Sequence, residues 1–394
     1  MPTTHTGIAI IGGGVIGNSI AYHLARQGQR VLVIERSDIA SEPAASWASA
    51  GGVRRQGRHP AEAQLASEAI QRWPSLSEEL AADLHYRQGG QLLLAENESE
   101  AAQLATYVQQ QRALGFSNVQ LVNRAEVRQL VPSINEQVIA GSYSPTDGQA
   151  SPPHTTHAFA LAAQRLNATY WTHTPVLSLI TNGARVTAIR TPRGDVAAEH
   201  TVLAAGAWSN ELTIPAGLRL PIRTVALQML LSTPAQPGIL QPVIGALSRQ
   251  LSLKQLDDGT FFIGGGWLGN VSHDNRAYTM RQTSIDGSWS TASALLPAVV
   301  AQSIARAWCG LEAQSIDDIP FIGTAPGFDN LTLALGFSGH GFAIAPAVGR
   351  AVADLINGQN TIELDGLNPA RIANFQPRQI ERFVNMSDEN DYLE

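Results

Sequence analysis

The sequence predicts an α/β fold. A Rossmann-like nucleotide-binding domain, discontinuous along the chain, is joined to a second domain of α+β character with a mixed or antiparallel sheet. Three observations carry this. An apolar run, Gly7-Ile8-Ala9-Ile10-Ile11, leads into Gly12-Gly13-Gly14-Val15-Ile16-Gly17. Two later segments, one ending at Trp208 and one at Gly341, repeat the pattern of a short apolar strand running into small residues. Between them, from Val225 to Ile263, strand patterns follow one another without an intervening helix.

The first unit is the most explicit. Gly7 to Ile11 is too short for a helix and rich in β-branched residues, so it reads as a buried parallel strand. Ser19, Ile20, Leu24 and Ala25 keep one face of the following helix apolar and small until Gly28, which is placed to end it. Arg30-Val31-Leu32-Val33-Ile34 supplies the second strand. Glu35 closes the βαβ unit about twenty residues beyond the glycines, the spacing of a dinucleotide fingerprint. Gly12 permits the tight turn, Gly14 lets a pyrophosphate approach the backbone, and Gly17 lets helix and strand pack closely. The helix N-terminus offers N–H groups to an anion, and Glu35 would accept hydrogen bonds from a ribose.

The remaining elements follow in order. Ala44 to Gly52 is a loop of small residues suited to close backbone approach. Leu65, Ala69, Ile70, Trp73, Leu76 and Leu80 mark an amphipathic helix over 60–80, and another is expected over 98–114. Pro152-Pro153 opens a helix through Leu166. Short strands are expected at 168–171, 176–180, 185–191 and 200–203, with turns at Asn182-Gly183 and Arg193-Gly194-Asp195. Strands at 225–231, 251–256 and 260–263 form the second sheet, and a helix is expected over 291–306. Leu331 to Leu335 is a strand that runs into Gly336-Phe337-Ser338-Gly339-His340-Gly341. Helical spacing resumes from Phe342 to Gly358. The acidic tail after Arg382 reads as solvated and frayed. The expected partition places 1–84, 146–220 and 306–394 in the nucleotide domain, and 85–145 and 221–305 in the second.

Composition narrows the classes of function. The chain has 394 residues, 44% of them hydrophobic and 15% charged, and a formal net charge of -7. No basic run exceeds Arg54-Arg55, so nucleic acid is not an expected partner. A single cysteine, Cys309, leaves no internal disulfide or cysteine-based metal cluster and fits a reducing compartment. A first strand beginning at Gly7 leaves no span for a signal peptide, and no apolar run approaches the roughly twenty residues of a spanning helix. The expectation is a cytoplasmic protein with no metal. Peripheral attachment at the inner face of a membrane and a hetero-oligomeric state both stay open.

More than a hundred residues separate Glu35 from the next matching strand. A nicotinamide dehydrogenase would continue its βαβ repeat there, so the interruption favours FAD. Gly7 to Glu35, the Ser46 to Gly52 loop, Val202-Leu203-Ala204-Ala205-Gly206-Ala207-Trp208-Ser209 and Gly336 to Phe342 together resemble the D-amino-acid oxidase family of flavoenzymes. That group includes glycine and sarcosine oxidases and the catalytic subunits of opine, hydroxyproline and sarcosine dehydrogenases, which the chain resembles most. The resemblance implies an FAD domain, a substrate domain whose sheet roofs the isoalloxazine, and oxidation of a C–N bond in a small amine or amino acid. It places Gly12, Gly14, Val15, Ile16 and Gly17 at the pyrophosphate and Glu35 with Arg36 at the adenosine. Ser46, Ser49, Ala50, Gly51 and Gly52 would line the ribityl chain and ring, and the Val176 backbone would meet the adenine. Ala205, Gly206 and Trp208 fall in the third matching segment. Gly339, His340, Gly341, Phe342 and Ala343 would lie at the pyrimidine edge, where a helix N-terminus stabilises negative charge developing near N1 and O2. His340 is a candidate for assisting catalysis, against the plainer role of a structural hydrogen-bonding group.

Three departures matter. Glycine and D-amino-acid oxidases carry a carboxylate-clamping arginine where this chain has Glu312. Charge reversal points to Glu312 as a residue that binds a cationic or amino group, with Arg54, Arg55 and Arg223 left as cations for a carboxylate. A glutamate paired with an arginine away from the pocket is the competing reading. Counting from Asp317 and from Gly336 puts the flavin-attaching cysteine of monomeric sarcosine oxidases opposite Gly310, so the FAD is expected to be noncovalent. Gly264 to Leu268 lacks the lysine those oxidases use for oxygen, which tilts the reading towards a dehydrogenase. Its electron acceptor would be oxygen, a quinone or a partner subunit. A flavin-dependent 2-hydroxy-acid dehydrogenase and a non-catalytic FAD-binding subunit of an electron-transfer complex are the alternatives.

Overall fold

The structure is a computed structural model that describes residues 3–359 and 361–386. The α/β class holds, with two eight-stranded sheets. In the first, strands Leu331–Leu335, Gly194–Leu203, Thr4–Ile11, Val31–Ile34 and Thr169–Trp171 run parallel in that order, and Phe321–Thr324 closes one edge antiparallel. Side chains alternate across it. Ile8, Ile10, Val31, Val33 and Val202 pack in one core cluster, while Ala9, Ile11, Leu32, Ile34 and Leu203 pack in another. This burial of both faces explains the nearly uninterrupted apolar strands. The first helix, Val15–Arg26, and the last long helix, Gly341–Ile356, cross over the first face. A Cβ at Gly349 would lie 2.0 Å from Ser19 Oγ, so glycine is what permits their close approach. The Ser19 hydroxyl donates to Ala345 O at 2.8 Å in the same contact.

The second sheet runs Ile304–Ser315, Ile222–Pro234, Thr260–Gly264, Ser252–Gln255, Val243–Ala246, Gln91–Ala95, Ala140–Ser144, Gln120–Asn123. All its pairings are antiparallel except Val243–Ala246 with Gln91–Ala95, so the sheet is mixed.

Most expected elements appear within a few residues of their expected bounds. The largest correction is the helix placed at 291–306. The helix is Gln282–Leu295, it stops before Pro297, and Ile304–Ser315 is a strand. Proline disfavours helical backbone at the residue before it, and Leu296 is extended at φ -124° and ψ 93°. The expected domain boundary at 306 therefore falls inside a strand that pairs with Ile222–Pro234 as far as Ser315. Ala45–Ala48 is a single helical turn within the expected loop, and Gly194–Leu203 is a longer strand than the 200–203 expected. The acidic residues of the tail from Asp388 onward lie outside the described residues. Among the described residues no helix is long and apolar enough to cross a membrane, and no cluster of His, Cys, Asp and Glu could hold a metal ion.

Candidate functional site

The site is built on the turn after the first strand. Gly12 has φ +108°, and a Cβ there would meet Ala204 O at 2.4 Å, because the parallel strand Gly194–Leu203 ends alongside. A Cβ on Gly17 would lie 2.0 Å from Gly12 O, so Gly17 seats the helix against the turn. Gly14 caps that helix with extended backbone and has no side chain to do so, and the first turn carries no acid. The N–H of Val15 donates to Ser46 Oγ at 2.9 Å, and the N–H of Gly13 donates to Glu35 Oε2 at 2.7 Å. Oxygens of the chain itself thus sit on donors that would otherwise serve an anion.

One continuous cleft of about 1430 Å³, its solvent mouth included, runs from this turn to the second glycine turn. It is lined by Gly12, Gly14, Val15, Ile16, Glu35, Arg36, Ser46, Ser49, Val176, Ala205, Gly206, Trp208, Gly339, Gly341 and Phe342, and by Glu312. Arg36 stacks on Trp208, 3.9 Å from the ring centroid. Gly13, Ser37, Asp38, Glu42, Glu211 and Arg276 also line it and were not foreseen.

Several expected contacts stand behind this wall. Gly17 packs as described. The Ala50 methyl lies 3.7 Å from the Cβ position of Gly264. Gly51, at φ +69°, backs onto Ala150 O, and Gly52 pairs with Gln149. Ala343 is buried and its carbonyl accepts from Trp73 Nε1 at 2.8 Å.

Glu312 stands on Ile304–Ser315, opposite Val225. The second glycine turn is fastened to the same strand: Ser338 N donates to Ala313 O, and Ser315 N donates to Ser338 Oγ, each at 3.1 Å. That fastening brings the Gly339 N–H to the Glu312 carboxylate. Burial raises the Glu312 carboxyl to about 7, against the opposing effect of the Gly339 bond. Among the described residues it forms no ion pair with an arginine, which the competing reading would require.

These residues fit a dinucleotide carrying a ring system. Glycines leave room at both turns, and two helix N-termini open on the cleft. Residues 7–355 match the family described as FAD dependent oxidoreductase, DAO. The chain belongs to this family. It is 29% identical over 374 residues to a glycine oxidase of Geobacillus kaustophilus (strain HTA426), covering 90% of this chain and 93% of that one. Dimethylglycine dehydrogenase of Homo sapiens is 27% identical over 399 residues, covering 94% of this chain and 45% of the longer protein. The crystal structure of L-proline dehydrogenase from P. horikoshii matches with a TM-score of 0.88 at 28% identity, covering 95% of this chain and 99% of that chain.

In this FAD-dependent oxidoreductase, His340 departs from its expected placement. It does not line the cleft; its Nδ1 lies 3.1 Å from Glu62 Oε1. Arg58 NH1 donates to His340 O at 2.8 Å and stands 3.6 Å from Glu62. Burial lowers the His340 imidazole despite the Glu62 bond. Burial alone would raise Glu62, but His340 and Arg58 outweigh it and hold the carboxyl below its ordinary value. Arg58 is itself pulled down to about 9 by burial. The trio fixes the backbone at the start of the helix Gly341–Ile356. No sequence pattern announces it, since Glu62 and His340 are 278 residues apart.

The alternative cations are also engaged elsewhere. Arg54 donates to Gln56 O, Arg55 to Asn118 while stacking on Phe116, and Arg223 to Gln314 while stacking on Phe383. None of the three lines the cleft. A lysine was missed: Lys254, on the strand beside Thr260–Gly264, is buried with its Nζ 5.1 Å from the Phe262 ring centroid, and burial pulls it down to about 7. Its signal in sequence is a lone cation within an apolar strand, Leu251-Ser252-Leu253-Lys254. Cys309 is fully buried, with its sulfur 3.5 Å from Met280 Sδ. It does not line the cleft either. At the neighbouring Gly310 a Cβ would lie 2.4 Å from the Ala48 methyl, which explains the glycine there.

Proposed function

We propose that the chain oxidises the C–N bond of a small amine, amino acid or cyclic imino acid, using noncovalently held FAD. The observation that carries this reading is Glu312, a carboxylate in the wall of the cofactor cleft with no cationic partner among the described residues. The sheet with the first glycine turn is read as the core of the FAD-binding domain. The other sheet is read as the substrate domain, and its edge strand supplies Glu312. The names of the matched relatives, oxidases and dehydrogenases of amino acids, support the same substrate class.

When bound, FAD would supply a two-electron acceptor for hydride from the substrate carbon, and the imine so formed would hydrolyse in water. The chain's own residues prepare this. Backbone N–H groups at Gly14, Val15 and Ile16 would take the pyrophosphate, with Ser46 and Glu35 released from Val15 and Gly13. Glu35 would then serve the ribose. The N-terminus of Gly341–Ile356 faces the cleft at Gly341 and Phe342, where its dipole favours negative charge. A substrate ammonium is attracted by the ionised Glu312. Desolvation favours the neutral form of both partners, so a proton passes from nitrogen to the Glu312 carboxylate and leaves a neutral amine. An external acceptor, oxygen, a quinone or a partner subunit, completes turnover.

Acid precipitation checks the mode of attachment. Flavin stays in the supernatant if binding is noncovalent, as expected from the placement of Cys309 outside the cleft wall, and yellow precipitate contradicts it. The catalytic reading is tested by anaerobic reduction: an amine substrate bleaches the flavin absorbance, whereas a chain that only binds FAD stays yellow.

A further inference from the structure

A hairpin rooted in the second sheet reaches over the cofactor cleft. Its strands, Asn270–Val271 and Tyr278–Thr279, pair antiparallel. At its base Gly269 N donates to Ala226 O at 2.8 Å, and a Cβ on Gly269 would lie 2.5 Å from Cys309 Sγ. Val271, Tyr278 and Met280 pack with Ala226, Cys309 and Leu311, and with Ala207 and Trp208 of the cleft wall. The tip is internally braced. Ser272 Oγ accepts from Arg276 N at 3.1 Å and Ala277 N at 2.8 Å, and donates to Asp274 Oδ1 at 2.6 Å.

Three polar contacts tie this hairpin to residues of the cleft. Trp208 Nε1 donates to Asn275 O at 2.7 Å, Arg276 NH2 pairs with Glu211 Oε2 at 2.7 Å, and the Tyr278 hydroxyl donates to Glu42. Trp208, Glu211, Glu42 and Arg276 itself all line the cleft. Charge makes the arrangement informative. The lining carries five acids, Glu35, Asp38, Glu42, Glu211 and Glu312, against two cations, Arg36 and Arg276. A cofactor with a dianionic diphosphate enters such a cleft against repulsion unless the acids are neutralised.

We propose that the Asn270–Thr279 hairpin is a clasp that retains FAD, in which Arg276 pairs with Glu211 and so removes an acid that would otherwise repel the diphosphate. This goes beyond the amine-oxidising reading and stands whatever the substrate. Arg276 is a positioning residue for the cofactor, and Tyr278 closes the clasp through Glu42 without carrying charge.

The test measures FAD release from diluted holoenzyme by the rise in flavin fluorescence, together with Kd from titration of the apoprotein. Arg276→Ala is expected to raise Kd about tenfold, with a deficit that shrinks as salt is added. Arg276→Lys retains most of the affinity. Adding Glu211→Gln to Arg276→Ala restores Kd to within about threefold of wild type, which a purely steric role for Arg276 would not produce. Tyr278→Phe speeds release several-fold and keeps the proposal testable even if Arg276→Ala fails to fold. Kd and release rates within about twofold of wild type in both single variants overturn the proposal, as does a double variant that is not rescued.

Discussion

Gly17→Ala will purify without flavin. The added methyl would sit 2.0 Å from Gly12 O and 3.2 Å from Gly12 C, both backbone atoms that cannot rotate aside. The helix Val15–Arg26 must therefore lift off the turn. Overpacking of this kind costs about 1–3 kcal/mol of stability. The larger effect falls on the cofactor, because the same displacement carries the N–H groups of the first helical turn away from the pyrophosphate. Loss of two hydrogen bonds to a charged group costs about 3–6 kcal/mol. That weakens FAD by a factor of roughly 10² to 10⁴. Absorbance of the purified protein at flavin wavelengths is the measurement, and FAD at wild-type stoichiometry contradicts the account.

Glu312→Gln separates two properties that usually change together. Above pH 7 the variant loses the ion pair with a substrate ammonium and the group that accepts its proton, so kcat/KM falls by about 10² to 10³. Wild-type kcat/KM declines about tenfold per pH unit below 7, as the carboxylate is protonated, and the variant lacks this limb. Stability moves the other way. A carboxyl raised from 4.5 to about 7 in the folded chain binds its proton more tightly there than in the unfolded chain. Its contribution is therefore fully present below pH 4.5 and lost as pH rises through 7. The difference is about 3 kcal/mol. The Glu312→Gln apoprotein should accordingly melt higher than wild type at pH 8 and alongside it at pH 4. Equal melting at pH 8 with unchanged turnover would place Glu312 outside the substrate's reach.

How much of this was legible in sequence follows from the range of the forces involved. The first glycine turn, its helix and Glu35 are fixed by patterns within thirty residues of one another, and each falls where those patterns put it. The second glycine turn is likewise announced by its own strand and helix. Ile304–Ser315 was not legible over its first half, because Ile304-Ala305-Arg306 has no local strand pattern. Pairing with Ile222–Pro234, some eighty residues earlier, decides it, and sets Glu312 opposite Val225. Ala140–Ser144, with its small and polar residues, likewise has no local strand pattern, and its pairing with Gln91–Ala95 holds it in the sheet. The family resemblance groups His340 with Gly339 and Gly341 at the pyrimidine edge. Only the folded chain brings up Glu62 and Arg58 to turn it away.

The central claim is that Glu312 and the FAD cleft together oxidise amines. The most direct measurement is the rate of anaerobic flavin bleaching across D-amino acids, L-amino acids, N-methyl amino acids, cyclic imino acids and the matching 2-hydroxy acids. The account predicts that at least one amine class bleaches the flavin, that its hydroxy counterpart does not, and that Glu312→Gln slows the bleaching. Bleaching by a hydroxy acid with every amine inert would contradict it.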